Sequence, residues 1–301
     1  MVNQRQVIYY IIADLQLELT LPQWVDVSEL LPNFEPFKSD YQSDKVISCK
    51  VRIVEDDLYF ESEGAKLLSD ISIVWGDRFT FYEQQDAYWT LIETDKKGGF
   101  YWKMKSRKHF SENEIYCGGL ADVKNHFISW YIMVAFAQSA LAYQCVLVHA
   151  SVVMDRHSGY AFLGKSGTGK STHSRLWLSH IEGVTLLNDD NPAVRVLGDT
   201  VWIYGTPWSG KTKCYIAEKR PLEALVRLNQ AKENKFFQRE GKEALLALLP
   251  SCSAIRWNLQ LYSALIDILV ETIDKVKIGE LFCLPDREAA QLCYKEIKNC
   301  K

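Results

Sequence analysis

The sequence contains no C-x-x-C pair. Its eight cysteines are scattered from Cys49 to Cys300. That pattern gives neither a zinc-ligand spacing nor a disulfide framework, so reduced thiols and a cytoplasmic location are expected. An excess of basic charge is also missing: 35 Lys and Arg stand against 38 Asp and Glu, a net charge of -3. Without a basic field, nucleic acid is not an expected partner. Residues 1–15 lack a basic stretch followed by an apolar run, so no signal peptide is expected. One long uncharged run exists, 127–148, but Gln138, Ser139 and Gln144 interrupt it and its end reads as a strand. It is read as a buried helix running into a buried strand, with no membrane partner.

What is present is an ordinary globular balance. Hydrophobic residues make up 48% and charged residues 24% of 301 positions, enough for about two domains, each with its own core. Segments 7–12, 45–54, 71–74, 79–82, 89–93 and 99–105 are short, rich in β-branched and aromatic residues, and separated by turn signals such as Glu55-Asp56-Asp57. These predict a β-rich N-terminal domain over 1–115, in which Trp89, Phe100, Tyr101 and Trp102 either form a binding surface or, the reading preferred, pack on the sheet. A second, α/β domain is expected over 116–301. It opens with a helix over 121–143, followed by strands over 145–154 and 160–163. Only five residues, Asp155 to Gly159, separate those strands. That is a hairpin length and too short for a helical crossover, so the sheet is expected to be mixed.

Directly after the second strand stands Gly164-Lys165-Ser166-Gly167-Thr168-Gly169-Lys170-Ser171-Thr172, which contains G-x-x-x-x-G-K-S. A helical pattern follows it. Strand, glycine-rich loop and helix are the context of a P-loop. The glycines let backbone N–H groups turn toward phosphate oxygens, and the helix N-terminus adds partial positive charge. Lys170 is placed to reach the β- and γ-phosphates of a nucleotide, and the Ser171 hydroxyl to ligate Mg²⁺. Further on, 184–187 reads as a short apolar strand that ends in Asn188-Asp189-Asp190. The pair either is a surface turn before Asn191-Pro192 or, as its place at a strand end after the P-loop favours, has one carboxylate that holds Mg²⁺ and another that accepts a proton from an attacking hydroxyl. His149 either modulates that pair or is a hydrogen-bonded core residue. A second loop, Gly205 to Thr212, carries Lys211, which either stabilises a transferring phosphoryl group or is solvated in a Pro/Gly turn.

Taken in order, His149 in a strand, the hairpin into Gly164–Ser171, the helix and Asn188-Asp189-Asp190 resemble the HPr kinase/phosphorylase family and its wider relatives. The resemblance spans about 145–211 and extends to the pattern of the C-terminal end. It implies a phosphoenolpyruvate carboxykinase-like P-loop fold and an ATP- and Mg²⁺-dependent kinase that acts on a serine hydroxyl of a protein or peptide. It also implies Asp189 as base, Asp190 at Mg²⁺, His149 assisting the base, and a possible homo-oligomer. The family's HPr kinases usually carry His-Gly where this chain has His149-Ala150, and their glycine-rich signature segment is not found after the aspartates. A small-molecule kinase, a carboxykinase-like enzyme and a non-catalytic nucleotide switch or scaffold are the other readings.

Overall fold

A computed structural model describes residues 4–74, 77–93, 101–118, 125–210 and 212–299. The chain divides into two compact units, 1–140 and 141–301. The boundary expected near 115 therefore falls later, because the helix that follows it belongs to the first unit.

The N-terminal unit contains β1 (Arg5–Ile12), β2 (Leu15–Pro22), β3 (Lys38–Ser39), β4 (Ile47–Val54), β5 (Lys66–Val74), β6 (Asp77–Gln84), β7 (Ala87–Glu93), β8 (Tyr101–Arg107) and β9 (Glu112–Tyr116). They form one sheet in the order β3-β1-β2-β4-β9-β8-β7-β6-β5. The pairs β2–β4 and β4–β9 are parallel and the rest antiparallel. A two-residue turn joins β1 to β2. Ala13 and Asp14 both have positive φ, 52° and 58°. That twist suits a tight hairpin. The alternation of Leu15, Leu17, Leu19 and Leu21 then marks β2, a strand the sequence reading passed over.

A short helix, α1 (Val27–Leu30), is capped by Asp26, and a long one, α2 (Asn125–Ser139), packs on β4 and β9. Its Tyr131 hydroxyl donates to the Trp102 carbonyl at 2.8 Å, and Phe127 meets the Trp102 ring edge-on. Thus the uncharged run is helix, a 3-10 turn, then strand, and no helix among the described residues is long and apolar enough to cross a membrane. The outer face of the sheet alternates in charge across strands, with Glu18 opposite Lys50 and Lys50 opposite Glu112. A cleft of about 480 Å³ lies along this face.

The C-terminal unit has β10 (Cys145–Leu147), β11 (Ala150–Met154), β12 (Gly159–Leu163), α3 (Lys170–His180), β13 (Thr185–Asp190), β14 (Ala193–Leu197), β15 (Thr200–Tyr204), β16 (Lys219–Gln230), β17 (Lys235–Arg239), α4 (Gly241–Leu248), α5 (Leu259–Lys275), β18 (Lys277–Cys283) and α6 (Arg287–Asn299). Its sheet runs β10-β14-β15-β16-β12-β11-β13, and β18 and β17 extend it from β16. The hairpin β11–β12 is antiparallel, whereas β12–β16 and β16–β18 are parallel. The sheet is therefore mixed, as the five-residue turn requires. Asp155 shapes that turn by accepting from the backbone N–H groups of His157 and Ser158, both at 2.7 Å.

One face of the sheet is covered by α3 and α6. Tyr160, Phe162, Trp177, Val226, Leu281 and Ile297 form its core. Fully burying an aliphatic or phenyl side chain of this kind stabilises by roughly 1.5–3 kcal/mol. The Trp177 indole N–H is buried, and it donates to His173 Nε2 at 3.1 Å, as a buried polar group must.

Candidate active site

Strand register brings the site together. Ala150 on β11 lies opposite Leu163 of β12 on one side and opposite Asp190 of β13 on the other. His149, just before Ala150, Gly164, just after Leu163, and Asp190 therefore meet at the same end of three neighbouring strands. The expected strand 145–154 is broken at Val148-His149, where the chain leaves β14 and joins β12 and β13. The His149 N–H is held there by the Ser251 carbonyl at 2.6 Å.

Gly164 to Gly169 form the loop between β12 and α3. Gly169 caps the helix at φ 106°, ψ 19°, a left-handed conformation that glycine adopts without strain. Lys165 and Ser166 are exposed, Thr168 is half-buried, and Thr172 is exposed in the first turn of α3. The Thr168 N–H donates to the Lys165 carbonyl at 3.1 Å. Lys170 folds back over the loop, and its Nζ donates to the Gly164 carbonyl at 2.9 Å and approaches that of Lys165 at 3.5 Å. Burial lowers its pKa, and the carboxylates of Asp190 and Asp189 oppose that shift.

The two aspartates have different partners. Ser171 Oγ donates to Asp189 Oδ1 at 2.9 Å. Asp190 Oδ1 lies 3.5 Å from His149 Nδ1, and its Oδ2 accepts from the Asn191 amide at 2.9 Å. Burial raises the Asp190 pKa. Asp189 adds to that shift, while His149 and Lys170 oppose it. Burial, then Lys170, lowers the His149 pKa, and the two aspartates pull the other way. Both shifts favour a neutral pair, the usual effect of removing charge from water.

Ser151 and Ser174, which the sequence reading passed over, help hold this arrangement. Ser174 lies three residues after Ser171, on the same face of α3. Its hydroxyl shares a 2.6 Å hydrogen bond with Ser151 of β11, the residue opposite Asp189. Thus α3 is fastened to β11 by Ser174 and to β13 by Ser171. The loop after β15 is also pinned to the end of β13. Thr206 Oγ1 donates to the Asn191 carbonyl at 2.7 Å, and the Gly210 N–H donates to the Asp189 carbonyl at 2.7 Å. A Cβ on Gly210 would stand 3.0 Å from that carbonyl oxygen, so a side chain there would have to push the Asp189 backbone by a few tenths of an ångström. Lys211, the residue that follows, lies outside the described residues.

Chemically, the site combines a glycine loop at a helix N-terminus, the Lys170 amine folded over it, a carboxylate that accepts from a hydroxyl and a carboxylate with an imidazole beside it. No family model matches the chain, and no curated protein matches it. Among solved structures it is similar to the Hpr(Ser) kinase/phosphatase from Coxiella burnetii, at 11% identity and a TM-score of 0.31, over 51% of this chain and 88% of that one.

Proposed function

We propose that the chain is an ATP- and Mg²⁺-dependent phosphotransferase, HPr-kinase-like in its carboxykinase-type P-loop fold, that moves the γ-phosphoryl group to the serine hydroxyl of a protein or peptide. The observation that carries this reading is the division of the aspartate pair: Ser171 engages Asp189, and His149 stands beside Asp190. A nucleotide binder needs one metal carboxylate, and a second carboxylate with its own imidazole partner suits a base.

A hydroxyl and a carboxylate, both oxygen donors, fit a small hard cation that takes its other ligands from water and phosphate. Ser171 and Asp189 would hold Mg²⁺, which when bound neutralises charge on the phosphate oxygens. Backbone N–H groups of 164–169 and the α3 N-terminus cradle the phosphates. Lys170 exchanges the Gly164 carbonyl for a phosphate oxygen. Asp190 accepts the serine proton as the hydroxyl oxygen bonds to phosphorus and ADP departs, and His149 orients the Asp190 carboxylate. These roles reverse those the family resemblance implies for Asp189 and Asp190.

The test is incubation of the pure chain with γ-labelled ATP, Mg²⁺ and a lysate from its own source, followed by phosphoamino-acid analysis. Labelled phosphoserine is the expected result. ATP binding without transfer to any acceptor would instead favour a nucleotide switch, and absence of ATP binding would overturn the reading.

A further inference from the structure

Strand β16 runs past the end of its neighbour. The last β12–β16 pair is Leu163 with Arg227, after which β12 gives way to the glycine loop. β16 continues through Leu228, Asn229 and Gln230, held on its other side by Leu281, Phe282 and Cys283 of β18. The Gln230 backbone is thus set in a sheet while its side chain is exposed beside the loop. Its Nε2 donates to the Gly167 carbonyl at 3.2 Å and approaches the Thr168 carbonyl at 3.5 Å.

Among the described residues the loop has two side-chain tethers from beyond its own turn. Lys170 holds its start, through Gly164 and Lys165, and Gln230 holds its crest. They differ in what a phosphate does to them. An ammonium gains more from a phosphate oxygen than from a neutral carbonyl, because ionised acceptors make the stronger hydrogen bonds. Lys170 is therefore drawn off the loop by a phosphate ligand. Gln230 is neutral and carried on β16, so a phosphate draws it less than it draws the Lys170 ammonium. The Gly167 carbonyl shares its peptide plane with the Thr168 N–H, which closes the loop's turn on the Lys165 carbonyl, so the Gln230 contact fixes that plane and the backbone shape of the loop.

Resting on the phosphate-site reading above, we propose that Gln230 is a positioning residue that keeps the 164–169 loop in its anion-binding conformation once Lys170 has transferred to the phosphate. It acts through Gly167 and Thr168 and touches no reacting atom. A side chain fixed on a strand does this with less ordering cost than one on a mobile loop.

The experiment compares wild type with Gln230→Met, which keeps the side chain's length and removes its donors. Hydrogen exchange of 164–169 is measured in the nucleotide-free protein, with β12 amides as the control for global stability. The Mg·ATP dissociation constant and kcat are measured alongside. Losing one such bond corresponds to roughly a two- to tenfold change. The variant should show exchange at 164–169 faster by about that factor, with β12 unchanged. Its dissociation constant should rise by a similar factor, and kcat should hold. Wild-type exchange in the variant, or faster exchange with unchanged affinity, overturns the role. If wild type binds no nucleotide, the phosphate-site reading falls and this role falls with it. The exchange data then show separately whether the tether exists.

Discussion

Ser171 Oγ stands 2.9 Å from Asp189 Oδ1 and donates to it, tying the first turn of α3 to the end of β13. The pair is set by two packed elements before any ligand arrives. If it is the metal site, Ser171→Ala should weaken the Mg²⁺ enhancement of ATP binding by about tenfold, the order of one charge-assisted contact. Ser171→Thr keeps the hydroxyl and should stay near wild type. Calorimetric titration of ATP at several Mg²⁺ concentrations reads both outcomes.

Lys170 opens α3, and among the described residues its Nζ hydrogen-bonds carbonyls of the loop. Lys170→Ala should therefore leave the fold intact and cost ATP affinity, by about a hundredfold for a lost charge-assisted phosphate contact. Unchanged affinity in the variant, with an unchanged melting temperature, would remove the loop from the binding site.

The pH dependence follows from Asp190. A base acts in its ionised form, and burial raises the pKa of this one. As pH falls through that raised value the carboxylate protonates and transfer stops. The acid limb of kcat should therefore lie above the ordinary aspartate range near about 4. His149 opposes the upward shift, so His149→Phe should move the limb to higher pH. A limb that stays in the ordinary range in both proteins would take Asp190 out of the role.

A separate effect on stability comes from His173, which touches no proposed ligand. It is buried and accepts from Trp177, and burial lowers its pKa to about 4. In the unfolded chain it titrates near about 6.5. Below that pH the unfolded state binds a proton that the folded state refuses, so stability falls as pH drops from about 6.5 toward 4. The full loss is on the order of 3 kcal/mol. His173→Gln should flatten the pH dependence of urea unfolding across this window. A parallel curve for the variant would show that His173 is not its source.

Much of the site was legible in the sequence because its parts are local. The glycine loop, the five-residue hairpin turn and Asn188-Asp189-Asp190 each occupy a short stretch with its own composition. The partnerships were not legible. Which aspartate meets Ser171 and which meets His149 depends on the pairing of β11 with β13 and on the break at Val148-His149, both tertiary facts. β16 was missed for a different reason. Lys219–Gln230 holds a proline and Glu223-Ala224-Leu225, which read as poor strand formers, yet Leu222, Ala224, Leu225, Val226 and Leu228 are buried in the centre of the sheet. Missing β16 also hid Gln230. In the N-terminal unit the reverse held, and the alternating leucines of β2 carried a plain signal.

The most direct test of the divided aspartate pair compares Asp189→Asn with Asp190→Asn in two assays, Mg²⁺-dependent ATP binding and phosphoryl transfer to a serine acceptor. Asp190→Asn should bind Mg·ATP like wild type and lose transfer by about 10²–10⁴-fold, the usual cost of removing a general base. Asp189→Asn should lose the Mg²⁺ enhancement of binding, with transfer falling as a consequence. The opposite pattern, in which Asp190→Asn loses the metal effect and Asp189→Asn binds Mg·ATP normally but cannot transfer, would contradict the assignment.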